Sequence, residues 1–252
     1  MPILDAVFPN GLTEDRLLGG RMQIAQPADG YRVAVDPILL AAAVPAQPGE
    51  TIADLGAGSG AVGLCLATRV AGCRIVAVER EGDLSRLVQA NASTNGISGA
   101  LHVIQADIAS LPLAAASLDH VAMNPPYLAA GTATEPANRL RRVAAVEGSA
   151  TLPVWIARAW DLVRAGGTIS LIHRADRLDE IIAACRQQQS GGLAVLPIWP
   201  KPDQAAHRVI IRLRKGDRSP FRLAPGLVLH HPDGGYTQAA EAILRDALAL
   251  AV

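Results

Sequence analysis

A chain of 252 residues, half of them apolar, can bury a full core, and its length suits one large α/β domain with extensions. Lys plus Arg equal Asp plus Glu at 23 each, so no global charge announces a nucleic acid or a membrane, and any recognition face must be local. The N-terminus lacks a basic start ahead of an apolar run, and the longest apolar stretch, residues 38–46, is too short for a bilayer, so the expectation is a soluble, cytoplasmic protein.

Along the chain, short β-rich runs alternate with Ala/Leu-rich stretches of helical length, the pattern of βαβ units and a parallel sheet. The expected strands are 51–55, 74–79, 101–106, 118–123, 167–173, 194–198 and 209–214, and the expected helices 61–70, 83–94, 152–164 and 177–188. Pro197, Pro200 and Pro202 crowd the last connection, where no crossover helix fits, so the final two strands should form an antiparallel hairpin at the sheet edge. This reads as one α/β domain with a seven-stranded, doubly wound, mostly parallel sheet whose last strand is antiparallel. Residues 1–48 form an N-terminal extension to the core, 49–215. Residues 216–252 form a C-terminal one, ending in an expected helix over 237–250. Cys65, Cys73 and Cys185 form no CxxC pair and read as buried small hydrophobes, so no metal site is expected.

Asp54-Leu55-Gly56-Ala57-Gly58-Ser59-Gly60 follows an apolar strand and opens a helix. Three alternating glycines cost chain entropy and let a ligand approach the backbone at a helix N-terminus. The overlapping Gly58-Ser59-Gly60-Ala61-Val62-Gly63 also fits the GxGxxG pattern of dinucleotide sites. Glu79, at the end of the next strand, suits a ribose diol under either reading. Asp107, after the third strand, could accept from an adenine amine or simply cap a turn. With Asp54 facing a cationic methionine end, the three carboxylates fit one zwitterionic ligand, S-adenosylmethionine.

Asn124-Pro125-Pro126-Tyr127 follows the fourth strand and so sits at the same carboxyl edge of the sheet as the glycine turn. An exocyclic amine on a ring is a poor nucleophile because its lone pair is delocalised. The Asn124 side-chain oxygen and the Pro125 carbonyl could each accept one N–H and aim that lone pair at a sulfonium methyl. Proline fixes φ and steadies the carbonyl, Pro126 continues the rigid turn, and Tyr127 could stack on the planar group. The alternative is a loop in which two prolines end a strand and Tyr127 packs.

Residues 54–60, Glu79, Asp107 and residues 124–127 together resemble the ordered motifs of the Rossmann-like S-adenosylmethionine-dependent methyltransferases. That resemblance implies strand order 3-2-1-4-5-7-6 and catalysis by Asn124, Pro125, Pro126 and Tyr127. It also implies a cofactor set of Asp54, Gly56, Gly58, Gly60, Glu79, Arg80, Asp107, Ile108 and Asn124. Asn-Pro-Pro-Tyr marks methylation of adenine N6, cytosine N4 or a glutamine amide in the related families.

Outside the core, Gly30-Tyr31-Arg32, the run from Asp36 to Ala43, residues 139–147 and residues 230–237 are similar to bacterial tRNA adenine-N6 methyltransferases acting beside a valine anticodon. The likeness implies that Tyr31, Arg32 and Asp36 lie over the cofactor pocket, although Asp36 could instead cap a packing helix. Arg139, Arg141 and Arg142, with Arg208, Arg212, Arg214, Lys215, Arg218 and Arg222, could meet RNA phosphates. On an edge strand, such charges could equally guard against misassociation. His230, His231 and Asp233 read as a surface turn, not a metal site. The implied partner is RNA, most simply a tRNA. Three alternatives remain: a release-factor glutamine methyltransferase; a nicotinamide oxidoreductase, which leaves residues 124–127 without a role; and a non-catalytic cofactor and RNA-binding module.

Overall fold

The computed structural model of the protein describes residues 7–8, 10–30, 32–128, 147–148, 150–188 and 192–252. Tyr31, Arg139, Arg141 and Arg142 lie outside them. The extension ahead of the core contains an antiparallel hairpin, β1 (Leu12–Leu17) and β2 (Met22–Pro27), and a helix, α1 (Val35–Ala43). The core follows as β3 (Thr51–Leu55), α2 (Ala61–Arg69), β4 (Arg74–Glu79), α3 (Gly82–Thr94), β5 (Leu101–Gln105), β6 (Leu118–Met123), α4 (Leu152–Leu162), β7 (Val163–Arg174), α5 (Leu178–Gln187), β8 (Ala194–Trp199) and β9 (Arg208–Arg214).

These seven core strands lie in the order β5-β4-β3-β6-β7-β9-β8, with β9 antiparallel to both neighbours, as expected. Two short strands, β10 (Arg222–Leu223) and β11 (Leu227–Val228), add parallel to β8, so the sheet has nine strands rather than seven. The β8–β9 hairpin is therefore not at the edge: β9 is an interior strand, and the tail covers β8. Buried on both faces, the strands read as near-continuous aliphatic runs. Ile52, Ile75, Ile172 and Ile210 pack with α1, α2 and the final helix α6 (Gln238–Leu244) on one face. Leu55, Met123, Leu171 and Ile211 pack with α4 and α5 on the other.

Helix α6 ends six residues short of the expected 250. Thr237 caps its start by accepting from the Ala240 N–H at 3.2 Å. Beyond Leu244, Ala247 takes a positive φ of 59°, and the Leu250 N–H bonds the Ala42 carbonyl of α1 at 2.9 Å. The tail thus satisfies an orphan carbonyl at the end of α1 instead of continuing its own helix.

Two asparagines dock the N-terminal hairpin onto the core. Asn91 accepts from the Ala25 N–H and donates to the Ala25 and Ser59 carbonyls, all at 2.9 Å. Asn95 accepts from the Gln23 N–H at 2.9 Å and donates to its carbonyl at 2.7 Å. Four residues of helix rise about 6 Å and two of strand about 6.6 Å, so side chains at 91 and 95 meet every second residue of β2. Helix α3 thereby serves β2 as a substitute strand edge, and the Ser59 bond links the hairpin to the glycine turn.

Asn91 is buried, and Asn91→Ala would strand two carbonyls and an N–H. The expected cost is about 2–4 kcal/mol of stability, read as a lower urea midpoint. Asn95→Ala, at a more exposed position, should cost less.

Candidate active site

The register of the sheet brings the expected residues together. Leu55 pairs with Val78 on one side and Met123 on the other, so Gly56, Glu79 and Asn124 leave three adjacent parallel strands at one level. The chain winds outward from β3 through β4 and restarts beside it at β6. The crevice there is the position at which open α/β sheets take ligands.

Gly56 and Ala57 both donate to the Val78 carbonyl at 2.9 Å, which ties the turn to β4. Gly56 has φ +72°, and a Cβ there would lie 2.6 Å from the Trp155 ring, so both conformation and space require glycine. Gly58 has φ +58° with nothing within 4 Å of where its Cβ would stand, leaving an open face toward the cavity. Gly60, at φ +90°, precedes α2 and packs on Val88, outside the cavity wall.

The carboxylates divide by depth. Glu79 lines the cavity, with Oε2 accepting from Gly58 N–H at 2.8 Å and Oε1 from Glu81 N–H at 2.9 Å. Burial raises its pKa against those backbone donors. Arg80 N–H is a third backbone donor, so the carboxylate's roughly four lone-pair sites leave room for a hydroxyl donor. Asp54 does not face the cavity, contrary to the expectation of a methionine-facing role. Its buried Oδ2 accepts from Gly63 N–H at 3.0 Å beneath the turn, because residue 54 is one short of the strand end and points under α2. Burial pushes the Asp54 carboxyl up to about 7, opposed by the Gly63 bond and assisted by the Glu79 charge.

Asp107 caps a short turn, accepting from Ala109 N–H at 2.8 Å, and also lines the cavity. Arg80 lies 3.7 Å from its other oxygen, and Ile108 adds apolar wall. The same wall includes Val78, Leu84, Trp155, Pro27 and Val33, which carried no motif signal in the sequence. Trp155 comes from an amphipathic helix indistinguishable from core, and Pro27 and Val33 from the N-terminal extension.

Asn124, Pro125, Pro126 and Tyr127 all line the cavity opposite Glu79. The Tyr127 hydroxyl is 2.7 Å from Asn124 Oδ1 and 2.7 Å from Asp36 Oδ2. Asp36 is therefore not a cap, although it sits in the first turn of α1, where the N-cap position is Ala34. Arg32 is not over the pocket either. It pairs with Asp15 of β1 at 2.7 Å, away from the cavity.

The basic residues near the last core strand are largely engaged within the chain. Arg208 pairs with Asp36 at 2.9 Å, Arg212 donates to the Val252 carbonyl, and Arg214 donates to the Gly166 carbonyl at 3.1 Å. Lys215 holds the Trp160 and Val163 carbonyls at 2.6 and 2.9 Å. His230 stacks on Tyr236 at 4.5 Å within the expected surface turn. Among the described residues, no cluster of His, Cys, Asp and Glu could hold a metal ion, and no helix is long and apolar enough to cross a membrane.

Comparison with known proteins places these features in a family. The model of the methyltransferase small domain matches residues 34–146. A tRNA1(Val) (adenine(37)-N6)-methyltransferase of Aeromonas hydrophila is 30% identical, over 82% of this chain and 85% of its own. The protein of the same name from Porphyromonas gingivalis is 26% identical over 86% and 88%. Among solved structures, a predicted O-methyltransferase, protein Atu636 from Agrobacterium tumefaciens, is 28% identical with a TM-score of 0.72, covering 86% of this chain and 99% of that one.

Asp54 predicts a pH effect. A carboxyl raised to about 7 in the folded chain favours the folded state most fully below its ordinary value near 3.8, and that contribution is lost as pH rises to about 7. Asp54→Asn removes the titration, so its melting temperature should gain on wild type between pH 5 and 8. A difference that stays flat or falls with pH over that range would refute the assignment.

Proposed function

This chain belongs to the tRNA1(Val) (adenine(37)-N6)-methyltransferase family, and from that membership we propose that it methylates the N6 amine of an unpaired adenine in a cytoplasmic tRNA, using S-adenosylmethionine. The observation that carries the reading is the shared level of Gly56, Glu79 and Asn124 around one cavity. The cavity fits the cofactor's chemistry. Glu79 offers acceptor lone pairs for a ribose diol, Ile108, Val78 and Leu84 offer an apolar slot for a purine, and Gly58 leaves open space where a side chain would stand.

The bound cofactor supplies an electrophilic methyl group on a sulfonium. Asn124 Oδ1 and the Pro125 carbonyl accept the two N–H groups of the adenine amine, which draws the lone pair out of the ring and stabilises the positive charge that develops on nitrogen. The Pro125 and Pro126 rings fix φ at both residues and keep this acceptor pair rigid. Tyr127 offers a planar face for the base. The amine proton is acidic once the nitrogen carries the methyl group and is released to solvent, so no strong base is required beforehand.

Incubation with methyl-labelled cofactor, total tRNA and total protein tests the reading: label should appear in tRNA as N6-methyladenosine. Label on a protein glutamine with tRNA unmodified would overturn the substrate. Glu79→Ala should weaken cofactor binding by about 2 kcal/mol through the lost charge-assisted hydrogen bonds, measured by calorimetry. Asn124→Ala should leave that affinity nearly intact while turnover drops about a hundredfold or more. Equal losses of both would make Asn124 a binding residue instead.

A further inference from the structure

Tyr127 is held by more partners than stacking against a base requires. Its hydroxyl lies between Asn124 Oδ1 and Asp36 Oδ2, 2.7 Å from each. Asp36 is buried and also accepts from Arg208 Nε at 2.9 Å. The Arg208 guanidinium sits 4.8 Å from the centre of the Tyr127 ring. His173 meets the ring edge-on, with centroids 5.3 Å apart. Burial and the nearby Arg177 push its pKa down to about 4, so it adds no second cation at neutral pH. Strand β9 supplies Arg208, α1 supplies Asp36 and the loop after β6 supplies Tyr127, so this convergence exists only in the folded chain.

A phenol has one proton and here two acceptors. Donation to Asn124 Oδ1 occupies the oxygen that must receive the substrate amine. Donation to Asp36 is charge-assisted and roughly twice as strong as donation to a neutral amide. With the proton drawn to Asp36, the phenol oxygen presents a lone pair to Asn124. An amide answers a lone pair with its NH2 group, so Nδ2 turns to Tyr127 and Oδ1 turns to the cavity.

We propose that Asp36, held by Arg208, is a positioning residue that takes the Tyr127 proton and thereby releases the Asn124 oxygen for the substrate nitrogen. Its effect runs through Tyr127 and rests on the methyl-transfer reading above. Arg208 has two parts in this arrangement: it fixes the carboxylate and keeps the Tyr127 ring from swinging away. Arg208, which from the sequence could have met a phosphate or guarded a strand edge, belongs in this reading to the support of the catalytic segment.

The decisive variants are Asp36→Asn, which keeps shape and removes charge, Tyr127→Phe, and their combination. In Asp36→Asn the hydroxyl should return its proton to Asn124, and turnover should fall roughly tenfold or more while cofactor affinity stays within about twofold. Adding Tyr127→Phe to Asp36→Asn should recover several-fold of the loss, because the competing donor is gone. A double variant no faster than Asp36→Asn overturns the proposal, since loss of a merely structural contact is not repaired by removing a second group. Should Asp36→Asn alone fail to fold, the double variant is compared with Tyr127→Phe. The two should differ by less than about threefold, and a loss of tenfold or more between them overturns the proposal. A second readout needs no turnover: the Asn124 side-chain NH2 resonances should move upfield in both Asp36→Asn and Tyr127→Phe. Unchanged resonances in Asp36→Asn overturn the proposal, whereas a wild-type protein inactive on tRNA with these shifts intact overturns only the substrate reading.

Discussion

The backbone ladder between β3 and β6 pairs Leu55 with Met123, and the rest of the active site depends on that register. A slip of one residue would exchange the buried faces of β6 and move Asn124 out of line with the glycine turn. Aliphatic side chains on both faces of these strands make such a slip costly, since every one of them is packed. The β3–β4 ladder sets the level of Glu79 in the same way, and the Gly56 and Ala57 N–H bonds to Val78 tie the turn to that second ladder. Three hydrogen-bonded strands thus do the positioning, and the side chains at their ends inherit it.

Within that frame, one residue of depth separates two kinds of carboxylate. Asp54 lies one position before the end of its strand, so its side chain turns under α2 and spends its acceptor on Gly63. Glu79 is the last residue of β4 and reaches the rim, where backbone N–H groups of Gly58, Arg80 and Glu81 orient it beside the cavity. Burial raises both pKa values, yet only Glu79 faces space a ligand can occupy. The buried acid braces the turn, while the rim acid lines the cavity.

The alternation of parallel strands was legible because every parallel crossover except β5 to β6 carries its own helix, and the closing antiparallel hairpin because the prolines before β9 exclude one there, whereas the strand order came from the family resemblance alone. The glycine turn and the Asn124 segment were legible because each is contiguous. The hairpin β1–β2 was not: its strands carry no strong alternation, and part of their pairing is with asparagines on α3 some seventy residues away. Strands of two residues, such as β10 and β11, are too short to show any period. From the sequence Asp36 could lie over the pocket or cap a helix, and Arg208 could meet a phosphate or guard a strand edge. The pairing that joins them was not legible, because each one's partner lies in another element, 91 and 172 positions from Asp36 for Tyr127 and Arg208.

Tyr127 is fixed through its main chain as well as its hydroxyl. Arg177 donates to the Tyr127 carbonyl at 3.4 Å and pairs with Glu147 at 2.6 Å, and the Glu147 N–H bonds the Leu128 carbonyl at 2.8 Å. The chain therefore leaves the catalytic segment at Leu128 and returns beside it at Glu147, with Arg177 clamping both ends. Among the described residues, Asn124 and Tyr127 take their geometry from β6, α1, β9 and Arg177.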